Sequence, residues 1–192
     1  MKKKTFVLLL ALVLIAGAAV GGTLAWLTDT TDAVQNTFTT SNIEIELDES
    51  DNLDLKMIPG WTITKDPKVT VIAGSEKCYL FVKIEKSSNF DSFMTYTVAA
   101  DWTPLNDTNN DGVADDGVYY RVIDTAGMGI AYSVLKDDQV TVKGEVTKAM
   151  MNELTTATYP TLTFTAYASQ YMKNNTESFT AAEAWKNVNP TT

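Results

Sequence analysis

The sequence predicts an all-β protein: an antiparallel β-sandwich of jelly-roll or immunoglobulin-like type with two short helices, set behind an N-terminal signal peptide. Three observations predict it. Apolar and polar residues alternate with period two in run after run from residue 43 onward. Gly, Pro, Asn and Asp gather between those runs, where turns need them. Only two stretches carry helical spacing, and both are short. A chain of 192 residues suits one domain with its own core, and no repeat of 20–50 residues points to a solenoid or propeller.

The first element is the leader. Lys2, Lys3 and Lys4 precede an apolar run of 15 residues, Phe6 to Val20, and small residues follow at Gly21, Gly22, Thr23 and Ala25. Thr23 at −3 and Ala25 at −1 suit a signal peptidase, which places the cut between Ala25 and Trp26. An uncleaved anchor is the competing reading, because about 20 apolar residues can span a bilayer. Residues 1–25 are therefore expected to be a signal peptide, residues 26–38 a free N-terminal segment, and residues 39–192 the sandwich. Loss of the leader removes three lysines and no acids, and the formal charge moves from −9 to −12. A chain this acidic repels nucleic acid, so no nucleic-acid partner is expected.

The strands follow in order. NIEIELDE alternates Ile43, Ile45 and Leu47 against acids, as a half-buried strand does. Pro59-Gly60 makes a turn, and Asp66-Pro67 breaks the next run before Val69 and Val71. KCYLFVKIEK sends Cys78, Leu80, Val82 and Ile84 to one face, and Tyr79, Phe81, Lys83 and Glu85 to the other. FMTYTVAADW and VYYRVI flank a polar loop and read as a hairpin with a large insert. QVTVKGEV and PTLTFTAYASQ complete the strands. The helices are Thr147 to Leu154, with Met150, Met151 and Leu154 on one side, and a second one opened by the capping box of Thr180 and Glu183. Tyr119, Tyr120, Tyr167 and Tyr171 read as cross-strand pairs, or as a surface strip for a sugar or partner.

The chemistry available is narrow. The chain contains no histidine and one cysteine, Cys78. Serine–histidine and cysteine–histidine catalysis, the HExxH zinc motif and histidine-ligated metals are all excluded, so no enzyme activity is expected. Cys78 reads as a small buried hydrophobe in a strand. One constellation resembles a site. In NDTNNDGVADDG, the residues Asp107, Asn109, Asp111 and Asp115 follow D-x-N-x-D-G-x-x-D, as in calcium loops. Gly112 permits the sharp turn, and the Val113 carbonyl would supply a further oxygen. Position twelve is Val118 where an EF-hand needs a bidentate carboxylate, and strands flank the loop instead of helices. The alternative is that Asn, Asp and Gly simply make good turns. No cofactor is required, and calcium is the one candidate ligand.

GGTLAWLTDT, with Gly22, Thr23, Ala25, Trp26 and Asp29, followed by NTFTTSNIEIELDE, with Asn36, Thr37, Phe38, Ile43 and Ile45, resembles the TasA/camelysin family of Gram-positive bacteria. PGWTITKDPKVTV resembles that family's next block. The likeness covers roughly residues 20–85, and the glycine usual at the strand opening is replaced by Ser41 and Asn42. It implies export through a SipW-type signal peptidase. It also implies one of two activities: a structural subunit of extracellular biofilm-matrix or cell-surface fibres, or a camelysin-like surface metalloprotease. The missing histidines favour the fibre subunit. A monomeric calcium-dependent adhesin is a third possibility.

The freed segment WLTDTTDAVQNTF has no Pro, no Gly and no helical period, and spreads Trp26, Leu27, Val34 and Phe38 along its length. Added as a strand to the next subunit, it would satisfy its backbone and bury those side chains together. Such a contact runs head to tail and propagates as a homopolymer, with other matrix subunits as further partners. A loose tail, or an edge strand folded back on its own body, is the alternative.

Overall fold

The computed structural model describes residues 42–50, 56–107 and 111–189. The expected signal peptide, its cleavage point at Ala25 and Trp26, the donor segment with Trp26, Leu27, Val34 and Phe38, and the candidate ligand Asn109 lie outside the described residues.

The fold is all-β. The strands are β1 (Ile45–Asp48), β2 (Thr62–Thr64), β3 (Lys68–Val71), β4 (Cys78–Lys86), β5 (Met94–Val98), β6 (Thr103–Pro104), β7 (Val118–Ile123), β8 (Ala131–Ser133), β9 (Leu135–Val142) and β10 (Leu162–Gln170). The helices are short: α1 (Phe90–Phe93), α2 (Lys148–Asn152) and α3 (Ala181–Val188). The strands form three antiparallel sheets, ordered β1-β3-β8, β2-β9-β5 and β10-β4-β7-β6.

β4 is the centre of the third sheet. It pairs with β10 over nine positions, from Leu162↔Lys86 to Gln170↔Cys78, and with β7 on its other side. Period-two alternation sends Cys78, Leu80, Val82 and Ile84 into a core shared with Val69, Val71 and Val134 of the first sheet and its corner. A second core gathers Ile63, Val140 and Val142 of the second sheet with Phe90 and Phe93. Tyr96, Leu162 and Phe164 pack against both clusters and make them contiguous. Burial pushes the Tyr96 hydroxyl up to about 12 and the Cys78 thiol to about 11, so both are neutral at ordinary pH.

Two bent strands join the first and second sheets. β2 runs through Lys65-Asp66-Pro67 into β3, and β8 runs through Val134 into β9. Lys65 N donates to the Asp138 carbonyl at 2.8 Å, and Val134 N donates to the Pro67 carbonyl at 2.9 Å. Pro67 has no N–H for the ladder. Opposite it, Asp137 and Asp138 take φ of 57° and 53° and absorb the extra length as a bulge. A ribbon that changes sheets at such a bulge turns a corner without losing its pairing.

The other face of β4 is also covered. Tyr79 and Phe81 pack with Val118 and with Ala184 of α3, flanked by Tyr120, Tyr167, Tyr171 and Trp185. The Trp185 ring lies 5.3 Å from Phe81 and meets Tyr167 edge-on at 5.1 Å. The capping box forms as the sequence predicts. Glu183 N donates to Thr180 Oγ1 at 3.3 Å, and Thr180 N donates to Glu183 Oε2 at 2.8 Å. α2 likewise starts at Thr147, whose hydroxyl accepts from Met150 N at 3.2 Å.

The structure corrects two expectations. The two runs flanking the polar loop are not a hairpin: β5 pairs with β9 in the second sheet, while β7 pairs with β4 and β6 in the third. The chain changes sheets at Ala99 to Trp102, where Ala99 N donates to the Val134 carbonyl and the Trp102 indole donates to the Ser133 carbonyl at 2.9 Å. A third helix, α1, sits between β4 and β5, held by the buried Phe90 and Phe93. The expected cross-strand pairing of the tyrosines is present for three of them: Tyr120 and Tyr167 stand opposite Phe81 on the outer face of the third sheet, where Tyr171 also packs, and Tyr119 stands opposite Val82 and faces the inner core.

Acid should loosen α3. The Lys173 ammonium, with the Thr180 N–H and hydroxyl, holds the Glu183 carboxyl down to about 2 from an ordinary value of 4.5. A depressed carboxylate stabilises the fold fully above its unfolded value and loses that contribution as pH falls toward its folded one. Protection factors of the α3 amides, taken relative to the intrinsic exchange rate at each pH, are expected to fall between roughly pH 4.5 and pH 2, and Glu183→Gln should remove that fall.

Candidate functional site

The polar loop lies between β6 and β7, and its ends are tied where Leu105 N donates to the Val118 carbonyl at 2.8 Å. Asp107 organises its first half. Its Oδ1 accepts from Asp111 N at 3.0 Å and its Oδ2 from Gly112 N at 2.9 Å. Asp111 Oδ1 accepts in turn from Val113 N at 2.8 Å. Gly112 has φ of +81°, the left-handed turn that the sequence assigned to it. The second half is held by Asn106, whose carbonyl accepts from Asp115 N and whose amide donates to Asp116 Oδ2 at 2.7 Å. Asp116 Oδ1 accepts from Val118 N at 3.1 Å. Ala114 is buried, and its N–H donates to the Tyr119 hydroxyl at 3.1 Å, which pins the loop to the core.

These bonds are what Asx turns provide without any ion. Asp107 and Asp111 turn carboxylate oxygens onto backbone N–H groups, Val113 is exposed, and Asp116 serves the loop's own closure. Among the described residues, no group of three or more His, Cys, Asp or Glu could hold a metal. Val118, at position twelve, begins β7 and packs under α3. Gly117 is indispensable for a different reason: its φ is +72°, and a Cβ there would collide with the Ile84 carbonyl oxygen.

Two further features bear on function. The first is the free side of β10. Among the described residues β10 pairs with β4 alone, and its register is unbroken. LTFTAYASQ carries no charge and no proline, the devices that usually blunt an exposed edge. β1 passes close to β10 without pairing to it.

The second is an apolar groove of about 800 Å³. Ile63, Met94 and Val140 of the second sheet form its floor with Phe90. Met151 and Leu154, in and after α2, line it with Leu162 and Tyr159, and Met57 and Ile58 approach from the segment before β2. The sequence held a partial signal for it. The apolar face of TKAMMNEL was legible as a cover, but nothing marked the cover as incomplete. Cys78 lies in the inner core with no exposed surface and is no nucleophile.

Compared with family models, curated proteins and solved structures, the chain matches none. The likeness to the TasA/camelysin family therefore rests on the residues quoted for it.

Gly117→Ala is expected to destabilise the fold by about 1–3 kcal/mol, from left-handed strain with the Ile84 clash added. Urea denaturation measures it, and Gly112→Ala, whose Cβ would meet nothing within 4 Å, should cost less.

Proposed function

We propose that the chain is a secreted structural subunit that polymerises into extracellular biofilm-matrix or cell-surface fibres. In this reading the first and second sheets, joined through their bent strands, form one layer of a β-sandwich and the third sheet forms the other. A SipW-type signal peptidase cuts between Ala25 and Trp26, and residues 26–38 of one subunit add as a strand to the next. The observation that carries the reading is the free side of β10: nine residues in unbroken register, with no charge, proline or bulge. An edge of that kind is a template for another strand. The order of motif residues from Gly22 to Ile45 supports export and assembly together. The chain supplies no histidine for a hydrolytic zinc site, so the subunit acts by assembly and not by catalysis.

Calcium enters as a stabiliser of the Asn106 to Gly117 loop, taken up by Asp107, Asn109, Asp111, Asp115 and the Val113 carbonyl. Asp107 and Asp111 would have to share oxygens already engaged with backbone N–H groups, so weak affinity follows.

Purified chain beginning at Trp26 should form filaments visible by negative-stain electron microscopy, and deletion of Trp26 to Gln35 should abolish them. Equal filaments from the deleted chain would end the donor-strand reading, and casein hydrolysis lost on chelation would replace it with the protease. Millimolar calcium should raise the melting temperature, and the double change Asp107→Asn, Asp111→Ala should remove that rise. An unchanged melt of the parent chain would dismiss calcium.

A further inference from the structure

The apolar groove belongs neither to the acidic loop nor to the assembly reading. Among the described residues its lining contains two charged side chains, Lys56 and Lys65, and the nearest carboxylate recorded there is Glu49, paired with Lys65. That is the reverse of the chain as a whole, which has 24 Asp and Glu against 15 Lys and Arg. The two lysines sit at different depths. Lys56 is exposed, while Lys65 is half-buried and bound to both oxygens of Glu49 at 2.5 and 2.6 Å. An ammonium has three N–H donors, and a second acceptor can join the Glu49 carboxylate there. The Lys65 ammonium also lies 5.5 Å from the centre of the Phe164 ring, at the boundary between charge and apolar floor.

The remaining lining suits a hydrocarbon. Ile63, Met94, Val140 and Phe90 are buried from solvent yet face the groove. Met57, Met94 and Met151 contribute flexible thioether side chains that adapt to an irregular occupant. The rim carries exposed apolar groups that a soluble surface does not otherwise favour. Ile58 is 39% and Tyr159 51% exposed. The volume of about 800 Å³ falls within the range of roughly 300–1,000 Å³ typical of small-molecule sites.

We propose that this groove binds a single-chain amphiphile with an anionic head, of the fatty-carboxylate class. The chain lies on Ile63, Phe90, Met94 and Val140, and the head meets Lys56 and Lys65. The site is concave and sized for one chain, so the occupant is a free amphiphile and not a bilayer. The inference is independent of fibre assembly.

Titration of the mature chain with dodecanoate tests it, followed calorimetrically and by displacement of anilinonaphthalene sulfonate. One dodecanoate per chain is expected, with dodecyltrimethylammonium at least tenfold weaker. Met151→Trp or Leu154→Trp should fill the groove and weaken dodecanoate tenfold or more at an unchanged urea midpoint. Lys56→Glu, at an exposed position, should narrow the preference for the anionic head. Equal affinity for both heads, full affinity in the filled variants, or no saturable binding would overturn the proposal. So would binding to phosphatidylglycerol vesicles without binding of the free carboxylate, which marks a membrane surface. Binding that appears only after deletion of residues 26–38 would assign the groove to that segment instead. Filaments are scored on the same preparations, so either reading can fail alone.

Discussion

A strand that is apolar on both faces has to be covered twice. β4 is such a strand: from Cys78 to Val82 every side chain is buried, and the alternation places them in two different cores. A fully buried large side chain is worth about 1.5–3 kcal/mol, so neither face can be left open in a fold of ordinary stability. The first and second sheets cover one face. The aromatic belt of Tyr120, Tyr167, Tyr171 and Trp185, brought down by α3, covers the other. The C-terminal helix is thus a structural necessity, and its capping box and the Lys173–Glu183 contact at 2.6 Å hold a lid that β4 requires.

Covering the inner face imposes a second constraint. A single flat sheet opposite β4 cannot follow the twist of a four-stranded sheet and also close over Phe90 and Phe93. The chain solves this by bending two paired strands together at Pro67 and at Asp137–Asp138. Between Ala99 and Trp102 the chain then crosses from the second sheet to the third. Arg121 stands nearby, its guanidinium 3.6 Å from the centre of the Tyr132 ring and paired with Asp101. The groove is lined by Ile63 of β2, Leu162 of β10 and Met151 of α2.

The acidic loop illustrates how one pattern serves two chemistries. Alternating oxygens around a glycine can converge on a cation or on the N–H groups of their own turn. Asp107 does the second with both oxygens. Here the Asp107 and Asp111 oxygens already accept from backbone N–H groups, and an ion would have to share them.

Some of this was determined by the sequence alone, because it depends on neighbours along the chain. The alternation at Cys78 to Glu85, the capping box at Thr180 and Glu183, the Thr147 cap and the turn at Gly112 are local, and each could be read from spacing. The burial of Cys78 followed from its place in the alternation. Only the tertiary structure decided which strand pairs with which. Period two specifies a face and not a partner, so Met94–Val98 and Val118–Ile123 looked like one hairpin and belong to different sheets. Nor does alternation say whether the outward face is wet, which is why Tyr167 and Trp185 could not be placed together before α3 was seen against the third sheet. The groove and the free side of β10 are spaces left between distant segments, and no local signal encodes an unfilled space.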